Sequence, residues 1–66
     1  MKFASILKDL REEKGLSQQQ LADKLNISQS AIAKWELSKT EPTASALLTL
    51  SKFFNVSVGQ LLGVEV

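Results

Sequence analysis

Residues 18–36, QQQLADKLNISQSAIAKWE, form two short helices meeting across a tight turn. Ser17 precedes them as an N-cap, and Gln20 stands at the third helical position. In that spacing the serine hydroxyl takes the backbone N–H of the glutamine, whose side chain reaches back to the N–H of the cap. Leu21, Ala22 and Leu25 then recur at helical spacing. Asn26 interrupts them, and Asn is the non-glycine residue that best tolerates a left-handed backbone. Ser28 is a second N-cap, and Ile32 with Trp35 carries the apolar face of the next helix. Ala22 is small where the two helices meet, so their backbones can approach closely.

Outward from this pair, the same signals recur. Phe3, Ile6, Leu7 and Leu10 form one apolar stripe on a first helix from about Lys2 to Lys14, which Gly15 stops. After a loop from Leu37 to Pro42, Thr43 caps a helix that runs to about Phe54. Its inward stripe is Ala44, Leu47, Leu50 and Phe54, with Leu48 and Phe53 at the edge. Ser57 and Gln60 make a second capping box, opening a fifth helix from Val58 to Leu62 that Gly63 ends. Val56, Val58 and Leu61 are expected to close the core. Val64-Glu65-Val66 reads as a frayed tail, an added strand or the start of a linker. The expectation is one all-α domain of five helices over residues 1–66.

Composition narrows the function. With 66 residues there is room for one small core and no deep enclosed active site. The chain has no Cys and no His, which removes thiolate nucleophiles, imidazole bases, disulfides and the usual zinc ligands. An enzyme, a metal site and a bound cofactor are therefore not expected, and no small-molecule substrate is evident. No apolar run approaches the roughly 20 residues of a membrane span, and charges break the apolar segment of MKFASILKDLREEKG too early for a signal peptide. A cytoplasmic protein is expected. Net charge is only +1 and the pI about 8.1. The placement of charge is more telling. Acids crowd the first helix at Asp9, Glu12 and Glu13, whereas from Asn26 to Thr40 the lone acid is Glu36, set against Lys34 and Lys39.

Two helices joined in this way make a helix-turn-helix, whose second helix can enter the DNA major groove. Its outer face offers Gln29, Ser30 and Lys34, flexible or short groups able to bond base edges in a groove about 12 Å wide. A helix N-terminus at Gln18 presents free N–H groups suited to a phosphate.

Ala22, Asn26 at the turn, Ile32 and the Trp35-Glu36 pair, followed by Lys39, Pro42, Leu47, Leu50, Phe54 and NVSVGQLL, resemble the lambda-repressor-like, or XRE-type, helix-turn-helix family. The resemblance covers nearly the whole chain. QSAIAK is similar to the matching stretch of lambda repressor, a known example of this docking geometry. The family usually has Gly where Asn26 stands, and Asn-Gly in place of Leu37-Ser38, which removes a phosphate-contacting amide and an easy left-handed turn residue. The resemblance implies a compact five-helix fold and a sequence-specific regulator of transcription, a repressor, with activators and antitoxins in the same family. It implies base contacts from Gln29 and Ser30, with Lys34 tuning the preferred sequence. It implies a phosphate contact from Gln18 and a steadying bond from Gln18 to Gln29; Ser17, Ser28, Ser38, Lys39 and Thr40 are the other groups expected to contact phosphate. The resemblance also implies an ion pair between Arg11 and Glu36.

The expected partner is duplex DNA bearing a pseudo-palindromic operator, bound by a homodimer. Phe53, Leu62 and Val64 are the apolar groups expected to remain for the dimer interface. A second reading keeps the fold and gives up specific DNA binding, leaving a protein-interaction module. The low net charge and the altered Leu37-Ser38 loop favour it.

Overall fold

Serine or threonine caps open four of the five helices formed by the described residues. The helices are α1 (Phe3–Glu13), α2 (Gln18–Leu25), α3 (Gln29–Glu36), α4 (Ala44–Phe54) and α5 (Val58–Leu62). The computed structural model describes residues 2–64. Met1, Glu65 and Val66 lie outside the described residues, and with them the end of the segment read above as tail, strand or linker. Ser17, Ser28, Thr43 and Ser57 each accept a backbone N–H from the first turn of their helix, and Ser17–Gln20 and Ser57–Gln60 complete capping boxes. These bonds satisfy donors that a helix start leaves open.

The C-termini share a second device. Gly15, Asn26, Ser38, Asn55 and Gly63 all take positive φ, between 56° and 71°. In each case the next residue's N–H closes back five positions: Leu16 to Arg11, Ile27 to Ala22, Lys39 to Lys34, Val56 to Ser51 and Val64 to Gly59. This is the Schellman closure, which satisfies late carbonyls and turns the chain sharply. Gly63 has a further reason to lack a side chain, because a Cβ there would lie 2.9 Å from Cβ of Lys2.

Sharp turns bring the apolar faces together. Phe3, Leu7, Leu21, Ala22, Ile32, Trp35, Leu50, Phe54 and Leu61 make one buried core. Phe3 meets Trp35 edge-on, with ring centroids 6.1 Å apart. Ala22 is fully buried in the closely packed α2–α3 pair. The all-α architecture and each helix agree with the sequence reading, the ends differing by at most one residue.

Two packing expectations, for Ala44 and Val58, need correction, while Leu48 lies outside the stripe as expected. Ala44 is exposed and not part of the inward stripe, because the first turn of α4 runs outside the core and the stripe begins at Ala46 and Leu47. Leu48 is 56% exposed. Val58 is half-buried and lies outside the core cluster, where Leu61 closes the base. No helix among the described residues is long and apolar enough to cross a membrane.

Candidate nucleic-acid interface

The α2–α3 junction carries a chain of side-chain hydrogen bonds that starts in the core edge and ends at the surface. Arg11 of α1 donates through Nε to Glu36 Oε2 at 2.8 Å and through Nη2 to Glu36 Oε1 at 3.0 Å. Its Nη1 donates to the Leu16 carbonyl at 2.8 Å. Glu36 Oε1 also accepts from Gln18 Nε2 at 3.0 Å, and Gln18 Oε1 accepts from Gln29 Nε2 at 2.7 Å. The side chains of Arg11 and Glu36 are only 11% and 5% exposed.

Burial pushes the Glu36 carboxyl up, but hydrogen bonds from Arg11 and Gln18, with the positive charges of Arg11 and Lys8, outweigh it and hold the group below its ordinary value. The hydrogen bond to Glu36 raises the Arg11 guanidinium against a smaller opposing effect of burial. Both groups are charged at neutral pH, and no buried side-chain nitrogen or oxygen among the described residues lacks a partner.

This network runs along one side of α3, from Glu36 at its last residue through Gln18 to Gln29 at its first, and ends at the edge of the open face. Gln29, Ala33 and Leu37 follow one another four residues apart, and Ser30 and Lys34 form the adjoining column. Ser30 and Lys34 are exposed, Gln29 and Ala33 are half-buried, and Leu37 is 65% exposed. A slim helix face is thus presented with Gln29 as its anchored member. Ser17 and Ser28 are exposed at the starts of α2 and α3, where their hydroxyls already accept from the backbone and keep their own O–H free to donate. Ser38, Lys39 and Thr40 are exposed in the loop after α3, and Ser38 takes the left-handed conformation that the family's usual glycine would adopt easily.

Phe53 and Leu62 are half-buried and pack against the core, so neither is simply left over. Phe53 lies edge-on to Phe54, and the Lys14 ammonium sits 5.4 Å from its ring centre. Val64 is 73% exposed.

The structure adds one residue that the sequence reading passed over. Lys8 lines a shallow depression with Arg11, Gln18, Ala33, Glu36 and Leu37. It stands three residues before Arg11 on α1, so the helical repeat was the available signal.

Residues 7–61 match the family described as Helix-turn-helix. The chain belongs to the XRE-type helix-turn-helix family. In this family its relatives include the HTH-type transcriptional activator BcrR of Enterococcus faecalis, 45% identical over 65 residues, covering 98% of this chain and 32% of that protein. The HTH-type transcriptional regulator ImmR of Bacillus subtilis is 36% identical, with 98% of this chain and 51% of ImmR covered. The immunity repressor protein of Bacillus phage phi105 is 34% identical, with 98% and 45% covered. The helix-turn-helix chain therefore spans about a third to a half of the length of these relatives. No solved structure is a significant match.

Proposed function

We propose that the chain binds double-stranded DNA sequence-specifically, lays α3 in the major groove and regulates transcription as a repressor. The observation that carries this reading is the anchored amide of Gln29. A glutamine on an ordinary solvated helix face would sample many rotamers, and ordering it on a base would cost entropy. Here Gln18 holds it at the start of the open face, with its oxygen available to a partner.

Gln29 then bonds adenine N6 and N7 with its oxygen and its remaining N–H. Ser30 reads the neighbouring base and Lys34 one further along. Gln18, Ser17 and Ser28 donate to phosphates beside the starts of α2 and α3, where the helix dipoles also favour anions. Ser38, Lys39 and Thr40 donate to phosphate from the following loop. Occupancy of a promoter by a bound protein blocks access without any further active surface, so repression is the simplest regulatory mode. The names of the relatives, which include regulators, a repressor and an activator, support a regulator of transcription.

One recognition helix reads few base pairs, so the binding unit is a two-fold dimer on a pseudo-palindromic operator with half-sites about 34 Å apart. Phe53, Leu62 and Val64 form its contact from the C-terminal third, Val64 as the most exposed of the three. Sedimentation of the DNA complex tests this, and one protomer per operator excludes it.

Two variants test the readout. Gln29→Ala weakens operator binding by roughly 1–3 kcal/mol per half-site and relaxes one base position. Lys39→Ala weakens all sequences alike and makes the salt slope shallower by about one. Equal loss on operator and random duplex for Gln29→Ala would make Gln29 a backbone contact. A chain that selects no sequence from a random duplex pool would favour the protein-interaction module.

A further inference from the structure

We propose that Glu36, which bonds no base in this scheme, decides which base Gln29 prefers, because it fixes the polarity of the hydrogen-bond chain that ends there. The inference rests on the DNA-reading role of α3 and adds a specificity-determining position outside the groove.

An ionised carboxylate only accepts, whereas a glutamine amide has one end that donates and one that accepts. Glu36 is held ionised by the two N–H groups of Arg11, with one carboxylate oxygen shared with Gln18. Gln18 must therefore turn its nitrogen to Glu36, and its oxygen faces the other way. That oxygen meets Gln29, which must turn its own nitrogen inward. Every amide orientation in the chain follows from the single charge at its inner end. Reversing either amide would set two oxygens or two N–H groups against each other in a partly buried place, which is a costly arrangement.

The outer end of the chain is where the choice acts. With one N–H used by Gln18, Gln29 offers an oxygen and one N–H to the groove. Adenine presents N6–H as donor and N7 as acceptor, which complements that pair. In the reversed polarity the Gln29 oxygen would turn to Gln18 and both N–H groups would be free. Guanine presents two acceptors, N7 and O6, and complements two donors. The base preference is thus set by a residue seven positions along α3, through Gln18 on another helix. Arg11 is a positioning residue in the same sense, because it keeps Glu36 charged and pinned.

A charge swap tests this. In Arg11→Glu combined with Glu36→Arg, the ion pair is retained but position 36 donates. Gln18 must then present its oxygen to position 36 and its nitrogen to Gln29. Sites are selected from a random duplex pool with the wild-type chain, the swap and Gln29→Ala. The expected result is that the swap changes preference from adenine to guanine, by roughly 5- to 150-fold for a bidentate contact, only at the position that Gln29→Ala relaxes. A swap that folds, binds and keeps adenine at that position overturns the polarity while leaving the DNA-reading role intact. A wild-type chain that selects no sequence, or a Gln29→Ala variant that relaxes no position, overturns both. Circular dichroism shows whether the swap folds. If it does not, scalar couplings across hydrogen bonds in the labelled wild-type chain decide. Coupling from Gln18 Nε2 to the Glu36 carboxylate carbon and from Gln29 Nε2 to the Gln18 amide carbon is expected. Coupling from Gln18 Nε2 to the Gln29 amide carbon would refute it.

Discussion

Removing one side of the Arg11–Glu36 pair is expected to bring the domain close to unfolding, and removing both sides is expected to harm it less. In Arg11→Met the apolar stem of the arginine is largely kept, so the change isolates the charge. Glu36 would then sit 5% exposed with Gln18 as its remaining donor. Stranding one charge of a fully buried pair costs roughly 3–5 kcal/mol. The residual exposure of the Arg11 side chain, 11%, places this pair at the lower end, about 3 kcal/mol. A chain of 66 residues has roughly 3–10 kcal/mol to lose. With a urea slope near 1 kcal/mol per M for so small a domain, the midpoint falls by about 3 M.

The double variant Arg11→Met with Glu36→Met leaves no unpaired charge. Replacing a buried pair by apolar groups is often neutral or better, although the Leu16 carbonyl also loses its Arg11 donor, at about 1 kcal/mol. The double variant should thus be more stable than either single one; with about 3 kcal/mol lost in each single variant and about 1 kcal/mol in the double, the coupling energy is about 5 kcal/mol in magnitude. Urea titration followed by circular dichroism and by fluorescence of Trp35, which is 8% exposed against Phe3, measures all four corners of the cycle. A coupling below about 0.5 kcal/mol, the range of exposed pairs, would refute the reasoning.

Acid should act through the same carboxylate. The folded value of Glu36 is depressed, so its contribution is complete above the unfolded value of about 4.3 and is lost as pH falls through the lower folded value. Urea midpoints taken from pH 7 to 2 should fall less steeply for Glu36→Gln than for wild type, and parallel curves would count against the assignment. Ala22→Leu should destabilise by roughly 1–3 kcal/mol through overpacking between α2 and α3, and a melting temperature unchanged within error would show slack at that junction. Ser38→Gly should stabilise by up to about 1 kcal/mol, because relief of a left-handed side-chain conformation, about 1–2 kcal/mol, exceeds the extra chain entropy of glycine. A lower urea midpoint for Ser38→Gly would mean that the serine side chain stabilises the loop.

What was legible in the sequence tracks how local the physics is. A serine three residues before a glutamine makes its two bonds wherever a helix starts, so Ser17–Gln20 and Ser57–Gln60 could be read directly. The helical repeat likewise marked Phe3, Leu7, Leu21, Ile32 and Leu50 as buried. The Gln29–Gln18–Glu36–Arg11 chain is different. Its members are separated by up to 25 residues, and no local rule places them together; the resemblance linked Arg11 to Glu36 and Gln18 to Gln29, and the bond from Gln18 to Glu36 that joins the two pairs is legible only in the structure. Ala44 was misplaced because a repeat gives the phase of a stripe and not the depth at which the helix enters the core. Lys8 was passed over because its charge reads as solvated surface until the neighbouring helix is in place.

The loop after α3 shows how a local preference gives way. Leu37-Ser38 lacks the residue best suited to a left-handed turn, yet Ser38 takes φ 58°. The strain is about 1–2 kcal/mol. Against it stand two closure bonds, from Ser38 to the Trp35 carbonyl and from Lys39 to the Lys34 carbonyl, each contributing about 1 kcal/mol. Trp35 and Glu36 are also fixed from behind, by Phe3 and by Arg11. A helix end held so firmly leaves the next residues little choice of exit, and the serine follows the path that the turn imposes. The same closure holds the Lys39 backbone against α3, so the cation proposed to meet phosphate is carried by the helix proposed to read the bases.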